Sequence, residues 1–547
     1  MTTLVEPKTN AVKTLEPQTL IQNPILRGFN PDPSILRVGE DYFIATSTFE
    51  WFPGVQIHHS RDLVNWRVLS QPLARVSQLD MRGNGDSGGI WAPCLSYDNG
   101  TFYLIYTDVK AFSMHAPFKD THNYLVTARH IEGPWSEPIH LNSSGFDPSL
   151  FHDSDGRKWF LNMVWDHRSG KNAFGGIYLQ EFDPVTQKLV GTVKNIFQGT
   201  PIAVTEGPHV YKRNGWYYLL TAEGGTTYEH AATLARSKNL EGPYEVHPQN
   251  PLLTSFGHPQ LELQKAGHAS IMQTQNDEWY IVHLCGRPLE PGLGTGYCNL
   301  GRETAIQKLE WSDDDWVRIV GGGNTPQNQV MSPNLEPHPF PTPNATDDFD
   351  APKLDIAWQT LREPADPSWL TLTERPGHLR LYGRESPISL HHQSLVGRRL
   401  QAFHAQATTS LEFDPEHFQH MAGMAAYYDS KHWVYLRVSR DEVLGKTLNL
   451  LVCDKGFYAE PLAQEIPISR TGSIYLRVNF NRETFQFSYS SDNQTWQPIG
   501  PAFDSSHLSD DYCNGLAFTG TFIALCVQDL AGTRHHADFD FFEYLEQ

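Results

Sequence analysis

Three short motifs each set one acid beside a proline or glycine: Asp32 in Asn-Pro-Asp-Pro-Ser, Asp147 in Phe-Asp-Pro-Ser and Glu206 in Thr-Glu-Gly-Pro-His. Asp before proline is a common turn device, because the Asp side chain caps nearby backbone N–H groups. That explains any one of the three. Three acids at the openings of repeated units ask for more. Carboxylates that face one concave apolar site lose hydration, and like charges nearby raise at least one pKa. Two carboxyl groups driven apart in this way can serve as general base and general acid, and a third can orient or tune a partner.

Aromatic residues stand near these acids. Phe49, Trp51 and Phe52 come in STFEWFPGV, and Trp91 comes in GGIWAP. Aromatic faces stack on the C–H faces of sugars, so a carboxylate funnel with aromatic walls suits a carbohydrate, while about half of these rings are expected to do no more than pack. Arg302 in NLGRETAIQ offers a planar fork for vicinal hydroxyls or for a carboxylate, and Arg287 in CGRP competes for that role. His268, in Gly-His-Ala-Ser, fits a metal ligand, a substrate contact or a buried histidine. No other His, Asp or Glu stands at ligand spacing around it. That leaves room for a structural calcium in a central channel and no demand for one.

The elements that carry these residues repeat. Five segments, starting at Asn30, Ile90, Gly145, Thr205 and Gly267, share a polar motif, an apolar stretch, a turn and an aromatic strand. Asn99-Gly100, Asp155-Gly156 and Asn214-Gly215 are hairpin signals, because such pairs supply the positive φ that two-residue turns need. A second echo follows most first hairpins, as in HHSRDLVNW and TARHIEGPW. Each unit therefore holds about four short strands and cannot bury both faces alone. Radial repetition buries one sheet on the next, which predicts a five-bladed β-propeller over residues 22–331. In a propeller the opening strands line the central channel, so the acids converge there.

The repeat stops at a connector, residues 332–346, rich in proline and without periodicity. Residues 347–547 then alternate strand patterns with frequent turn signals, which predicts a β-sandwich of jelly-roll, lectin-like type. Its first stretch, DDFDAP, and its last, DFDFFEY, are expected to lie side by side. The fold class is all-β.

Composition narrows the function. The chain has 547 residues, 62 acidic against 42 basic, and a net charge of −20, which disfavours nucleic acid and anionic membranes as partners. No apolar run approaches the ~20 residues of a membrane span. The first 22 residues lack the hydrophobic region of a secretory signal, which points to a cytoplasmic protein. Six cysteines are scattered without a CxxC pair, which reads as free thiols rather than a zinc site or a disulfide framework. An exposed face on the sandwich would allow a homo-oligomer, a dimer or tetramer.

Taken in order, NPDPS, WAP, FDPS, EGPH and GHAS resemble glycoside hydrolase family 43. The stretch FNPDPSI and YFIATSTFEWFPGVQIHHSRDLVNW, with TAEGGTTYEHAATLARSK and LGRETAIQK, is most similar to its two-domain β-xylosidases. The resemblance implies Asp32 as general base, Glu206 as general acid and Asp147 as the acid that tunes and orients Glu206. It implies Phe49, Trp91, His268 and Arg302 as substrate contacts, and Phe518 in Phe-Thr-Gly as a sandwich residue that reaches over the funnel. It implies inversion without an organic cofactor, with base and acid ~6.5–9.5 Å apart. The expected activity is an exo-acting 1,4-β-D-xylosidase on xylo-oligosaccharides that can also release α-L-arabinofuranose. Three rivals stand beside it: an enzyme that is mainly an α-L-arabinofuranosidase, a non-catalytic carbohydrate-binding protein, and a retaining fructosidase-type propeller. The stretch between Arg287 and Arg302 is short for that branch and would widen the leaving-group side.

Overall fold

The computed structural model describes residues 20–113, 116–292, 296–513 and 517–547. Residues 1–19, most of the stretch read above for a secretory signal, and residues 293–295 of the Arg287–Arg302 connection lie outside them. Among the described residues the secondary structure is strands plus one 3-10 turn, Ser505–Leu508. Among the described residues no helix is long and apolar enough to cross a membrane.

Five antiparallel sheets, each from one stretch of chain, form the propeller. They open at Ser34–Val38, Gly89–Asp98, Gly145–His152, Glu206–Arg213 and Gln264–Gln273. These openings track the five repeat units. The local reason is visible at Asn99-Gly100: Asp98 pairs with Thr101, and the two residues between them stand at φ 48° and 76°, the geometry of a tight hairpin turn. Asn214-Gly215 repeats it between Arg213 and Trp216. Each blade is built from its own stretch of chain, so the ring needs a separate join. The segment before the first blade supplies it: Leu26 exchanges backbone hydrogen bonds with Thr304 of the fifth, and Asn30 N–H donates to Arg302 O. Leu20–Gln22 pairs with Gln329–Met331 beyond the last blade.

The second body is a sandwich of an eight-stranded and a nine-stranded sheet. Its first strand, Thr346–Asp347, pairs with the last, His536–Glu546, as the sequence suggested. Residues from both sheets, among them Leu436, Leu448, Leu476 and Phe539, form one apolar interior. The middle of the nine-stranded sheet is buried on both faces. On Phe522–Asp529 the residues Ile523, Leu525 and Val527 belong to that interior, while Phe522, Ala524 and Cys526 join the propeller residues Phe49, Trp51 and Trp91. Such a strand reads as a continuous apolar run, here FIALCV.

The two bodies share hydrogen bonding. Trp51–Phe52, from the first blade's inner connection, pairs with Gln359–Leu361 and so extends the nine-stranded sheet. Trp51 stacks on Phe522 with ring centroids 3.5 Å apart. This ring is packing. The proline-rich connector is pinned across the first blade, with His338 N–H donating to Asp62 and Arg67 lying over the Phe340 ring.

Candidate active site

Each blade opens with the same backbone device. Asp32, Ala92, Asp147, Gly207 and His268 hold one position of the repeat, and all five stand at positive φ, between 34° and 56°. Strand pairing slips there in the second to fifth blades. This is a bulge, the element that re-aims side chains at functional sites. Asp tolerates the left-handed region better than most residues, which is a physical reason for Asp before proline at two of the openings.

The device also corrects the sequence reading in one respect. The motifs suggest that Glu206 is the fourth blade's equivalent of Asp32 and Asp147. The structure puts Gly207 there. Glu206 stands one residue earlier, level with Trp91 and Phe146. Gly207 suits the spot because its φ is +56° and a Cβ would come within 3.1 Å of the His268 ring.

Asp32, Asp147, Glu206, His268, Arg302, Phe49, Trp91 and Phe518 all line one cavity of about 620 Å³. Asp32 is nearly buried. Its Oδ2 accepts a hydrogen bond from Ser47 at 2.7 Å and its Oδ1 accepts one from Arg302 Nη1 at 3.2 Å. Burial alone would raise its pKa, but Arg302, then His268 at 4.0 Å and the Ser47 hydroxyl outweigh it and leave the carboxyl below its usual value. Asp32 is therefore ionised at neutral pH. Glu206 has no such cation in contact. Burial, and then the Asp32 charge, push it up to about 8 against the weaker pull of Arg302 and Lys119. Asp147 is raised well above the carboxylate range by burial, then by Glu206 and Asp32. Its Oδ2 accepts the Gly207 N–H at 3.0 Å, which ties it to the backbone beside Glu206. The cavity thus holds a carboxylate and a carboxylic acid together at neutral pH, the division that acid–base catalysis needs.

Arg302 joins the two bodies at this point. Besides Asp32 it donates to Thr226 Oγ1 at 2.8 Å and to Phe518 O at 3.0 Å, and its Nε lies 3.7 Å from Asp510 of the sandwich. Phe518 stacks on Phe49 at 5.5 Å and meets Trp91 edge-on at 5.3 Å. Its N–H donates to Ser87 Oγ. The neighbouring Gly301 permits the approach, since a Cβ there would lie 2.4 Å from Thr519 O. Arg287 makes a two-pronged ion pair with buried Glu303 instead, which leaves Arg302 as the arginine of the cavity.

Other lining residues carried no sequence signal. Lys119 lies 4.5 Å from the Trp165 ring centroid, and burial lowers its pKa. Phe146, Trp165, Phe174 and Thr226 complete the wall. Phe146 was adjacent to a motif acid and Thr226 sat inside GGTT. Lys119 and Trp165 belong to strands with no motif.

A cation in the channel would have to be held at His268. Among the described residues no three His, Cys, Asp or Glu side chains converge there. Its carboxylate neighbour, Asp32, is already engaged by Arg302 and Ser47. Calcium takes six to eight oxygen ligands. The side chains here do not make up that set by themselves, and no step below passes through a metal.

Comparison with known proteins completes the picture. The model of glycosyl hydrolases family 43 matches residues 21–317, and that of the beta xylosidase C-terminal Concanavalin A-like domain matches residues 346–545. A beta-xylosidase of Bacillus subtilis (strain 168) is 54% identical over 96% of this chain and 100% of its own length. A xylosidase/arabinosidase 43B of Humicola insolens is 51% identical over 96% of this chain and 97% of its own. The crystal structure of xylan beta-1,4-xylosidase from Bacillus Halodurans C-125 superposes with a TM-score of 0.94 at 60% identity, covering 96% of this chain and all of that one.

Proposed function

This chain belongs to glycosyl hydrolases family 43, and we propose that it is an exo-acting 1,4-β-D-xylosidase that releases xylose from the non-reducing ends of xylo-oligosaccharides with inversion. One observation carries the reading: Asp32, paired with Arg302, and Glu206, without such a partner, share a cavity walled by Phe49, Trp91 and Phe518. Asp32 takes a proton from a water as that water attacks the anomeric carbon. Glu206 gives its proton to the glycosidic oxygen as the bond to the leaving sugar breaks. The oxygen enters opposite the leaving group, so the released xylose is the α-anomer. Asp32 then returns its proton to solvent and Glu206 takes one up. Asp147 holds the Gly207 backbone and so the placing of Glu206. No organic cofactor takes part.

The Phe518 wall, packed against Phe49 and Trp91, supports exo action on a terminal sugar. The xylosidase/arabinosidase among the similar proteins supports a second activity in the same pocket, release of α-L-arabinofuranose. Rates on nitrophenyl β-xyloside, nitrophenyl α-arabinofuranoside and a long xylan test both points. Xyloside turnover with xylose as the only early product from xylan is expected. Early release of internal oligosaccharides would contradict the exo assignment, and faster arabinofuranoside turnover would reverse the order of the two activities.

A further inference from the structure

Away from the catalytic cavity, three ligand-type side chains meet where no sequence motif marks a site. Asp429 and His432 flank the turn between strands His420–Asp429 and His432–Asp441 of the nine-stranded sheet. Cys513 reaches them from the connection between Ser505–Leu508 and Phe522–Asp529. His432 Nδ1 lies 2.8 Å from Asp429 Oδ1 and 3.4 Å from Cys513 Sγ, and Cys513 Sγ lies 4.0 Å from Asp429 Oδ2. Asp429 and His432 are buried, and Cys513 is partly exposed and in no disulfide.

From this juxtaposition we propose that Asp429, His432 and Cys513 form a binding site for a zinc-class divalent transition metal. The spacing suits it. Ligand bonds of about 2.0–2.3 Å in a tetrahedron put donor atoms roughly 3.3–3.6 Å apart, and the three contacts bracket that range. The donor types suit it as well. Thiolate, imidazole and carboxylate select zinc, cobalt and their neighbours over magnesium or calcium. One thiolate and one carboxylate also neutralise a divalent ion, with the thiol proton released to solvent on binding. Without an ion the cluster is poorly matched: one ring nitrogen faces both the carboxylate and the sulfur, and the thiol's carboxylate acceptor is 4.0 Å away.

The surroundings can complete the shell. His432 Nε2 is buried without a protein partner. Its residue borders a cavity of about 170 Å³ that Asp454 and His507 also line, room for several waters at ~30 Å³ each. A water there can accept the Nε2 proton, the outer contact that metal-bound histidines usually have. Solvent access at Cys513 leaves a route for the ion and for a water as fourth ligand.

The test uses the full chain, dialysed against chelator and titrated with cobalt(II). The expected result is a near-ultraviolet thiolate-to-cobalt charge-transfer band that saturates at one ion per chain and is lost in C513S. Zinc should raise Tm by several degrees in the wild type and not in C513S. Far-ultraviolet circular dichroism checks that the variant is folded, and H432Q carries the same readouts if C513S is not. No sulfur-to-metal band in the wild type, or an equal band in a folded C513S or H432Q, would overturn the site and leave a buried Asp–His pair beside an inert thiol.

Discussion

Around the funnel, Asp32, Asp147 and His268 stand at positive φ and the three acids crowd one cavity. Inside the sandwich, Leu436, Leu450, Leu476 and Phe539 pack with no exposed surface. The first region stores cost. Left-handed backbone at a non-glycine residue costs about 1–3 kcal/mol, and each buried acid adds a solvation penalty. The second region supplies stability, since each fully buried large apolar side chain contributes about 1.5–3 kcal/mol. The nine-stranded sheet joins the two, with one face in the stable interior and the other behind the cavity wall. Strain is tolerated where chemistry needs it because the sheet behind it is over-determined.

That contrast can be broken from either side. The largest expected effect is catalytic. Asp32→Asn and Glu206→Gln should each lower kcat by roughly 10²–10⁴-fold, the worth of a positioned proton-transfer group, measured on nitrophenyl β-xyloside. Glu206→Gln should not destabilise the fold, whereas Asp32→Asn takes the carboxylate from buried Arg302 and should lower Tm. Glu206 has a raised folded pKa, so its contribution is favourable below its unfolded value and is lost as pH rises through about 8. Glu206→Gln should therefore match or exceed wild-type Tm at alkaline pH. Asp32 has the opposite sign: its stabilisation holds above the unfolded pKa and fades as pH falls through the lowered folded value.

Next comes the sandwich interior. Leu436→Ala should cost about 2–5 kcal/mol in denaturant unfolding and leave kcat of the folded fraction near wild type. A drop in kcat without loss of stability would dissolve the distinction between the two regions.

Phe518 belongs to both regions and sharpens the comparison. Phe518→Ala removes a ring from the cavity wall, so kcat/KM should fall roughly 10–100-fold, about 1.4–2.8 kcal/mol, while Tm changes less than in Leu436→Ala. The smallest effect is a displaced pH limb. Activity needs Glu206 protonated and Asp32 ionised, so the alkaline limb should lie near 8 and the acid limb below the usual carboxylate range. Asp147 is raised by Glu206, while the charges that act on Glu206 are those of Asp32, Arg302 and Lys119, so Asp147→Asn should leave the alkaline limb in place and lower kcat through the lost Gly207 contact. A limb moved to lower pH would show that Asp147 is charged while Glu206 titrates.

Much of this design was legible in the chain. Asn99-Gly100 and Asn214-Gly215 announce hairpins because few other residues accept their φ values, and five such units can bury themselves only in a ring. Asp32 and Asp147 announce themselves by the same logic before proline. Glu206 was found as an acid but misplaced by one residue, because a bulge cannot be counted from a motif. Lys119 and Trp165 were invisible, since strand pairing rather than spacing brings them to the cavity. Trp51 looked like a site residue and is packing. Cys513 stands 81 residues from His432, a separation that no spacing rule reads as a ligand set.

The most direct test of the division of labour between Asp32 and Glu206 is a proton NMR time course on xylobiose with chelator-dialysed protein. α-Xylose appearing first, and β-xylose only as it mutarotates, is the expected result. β-Xylose appearing first would contradict a general-base role for Asp32 and point to a covalent intermediate.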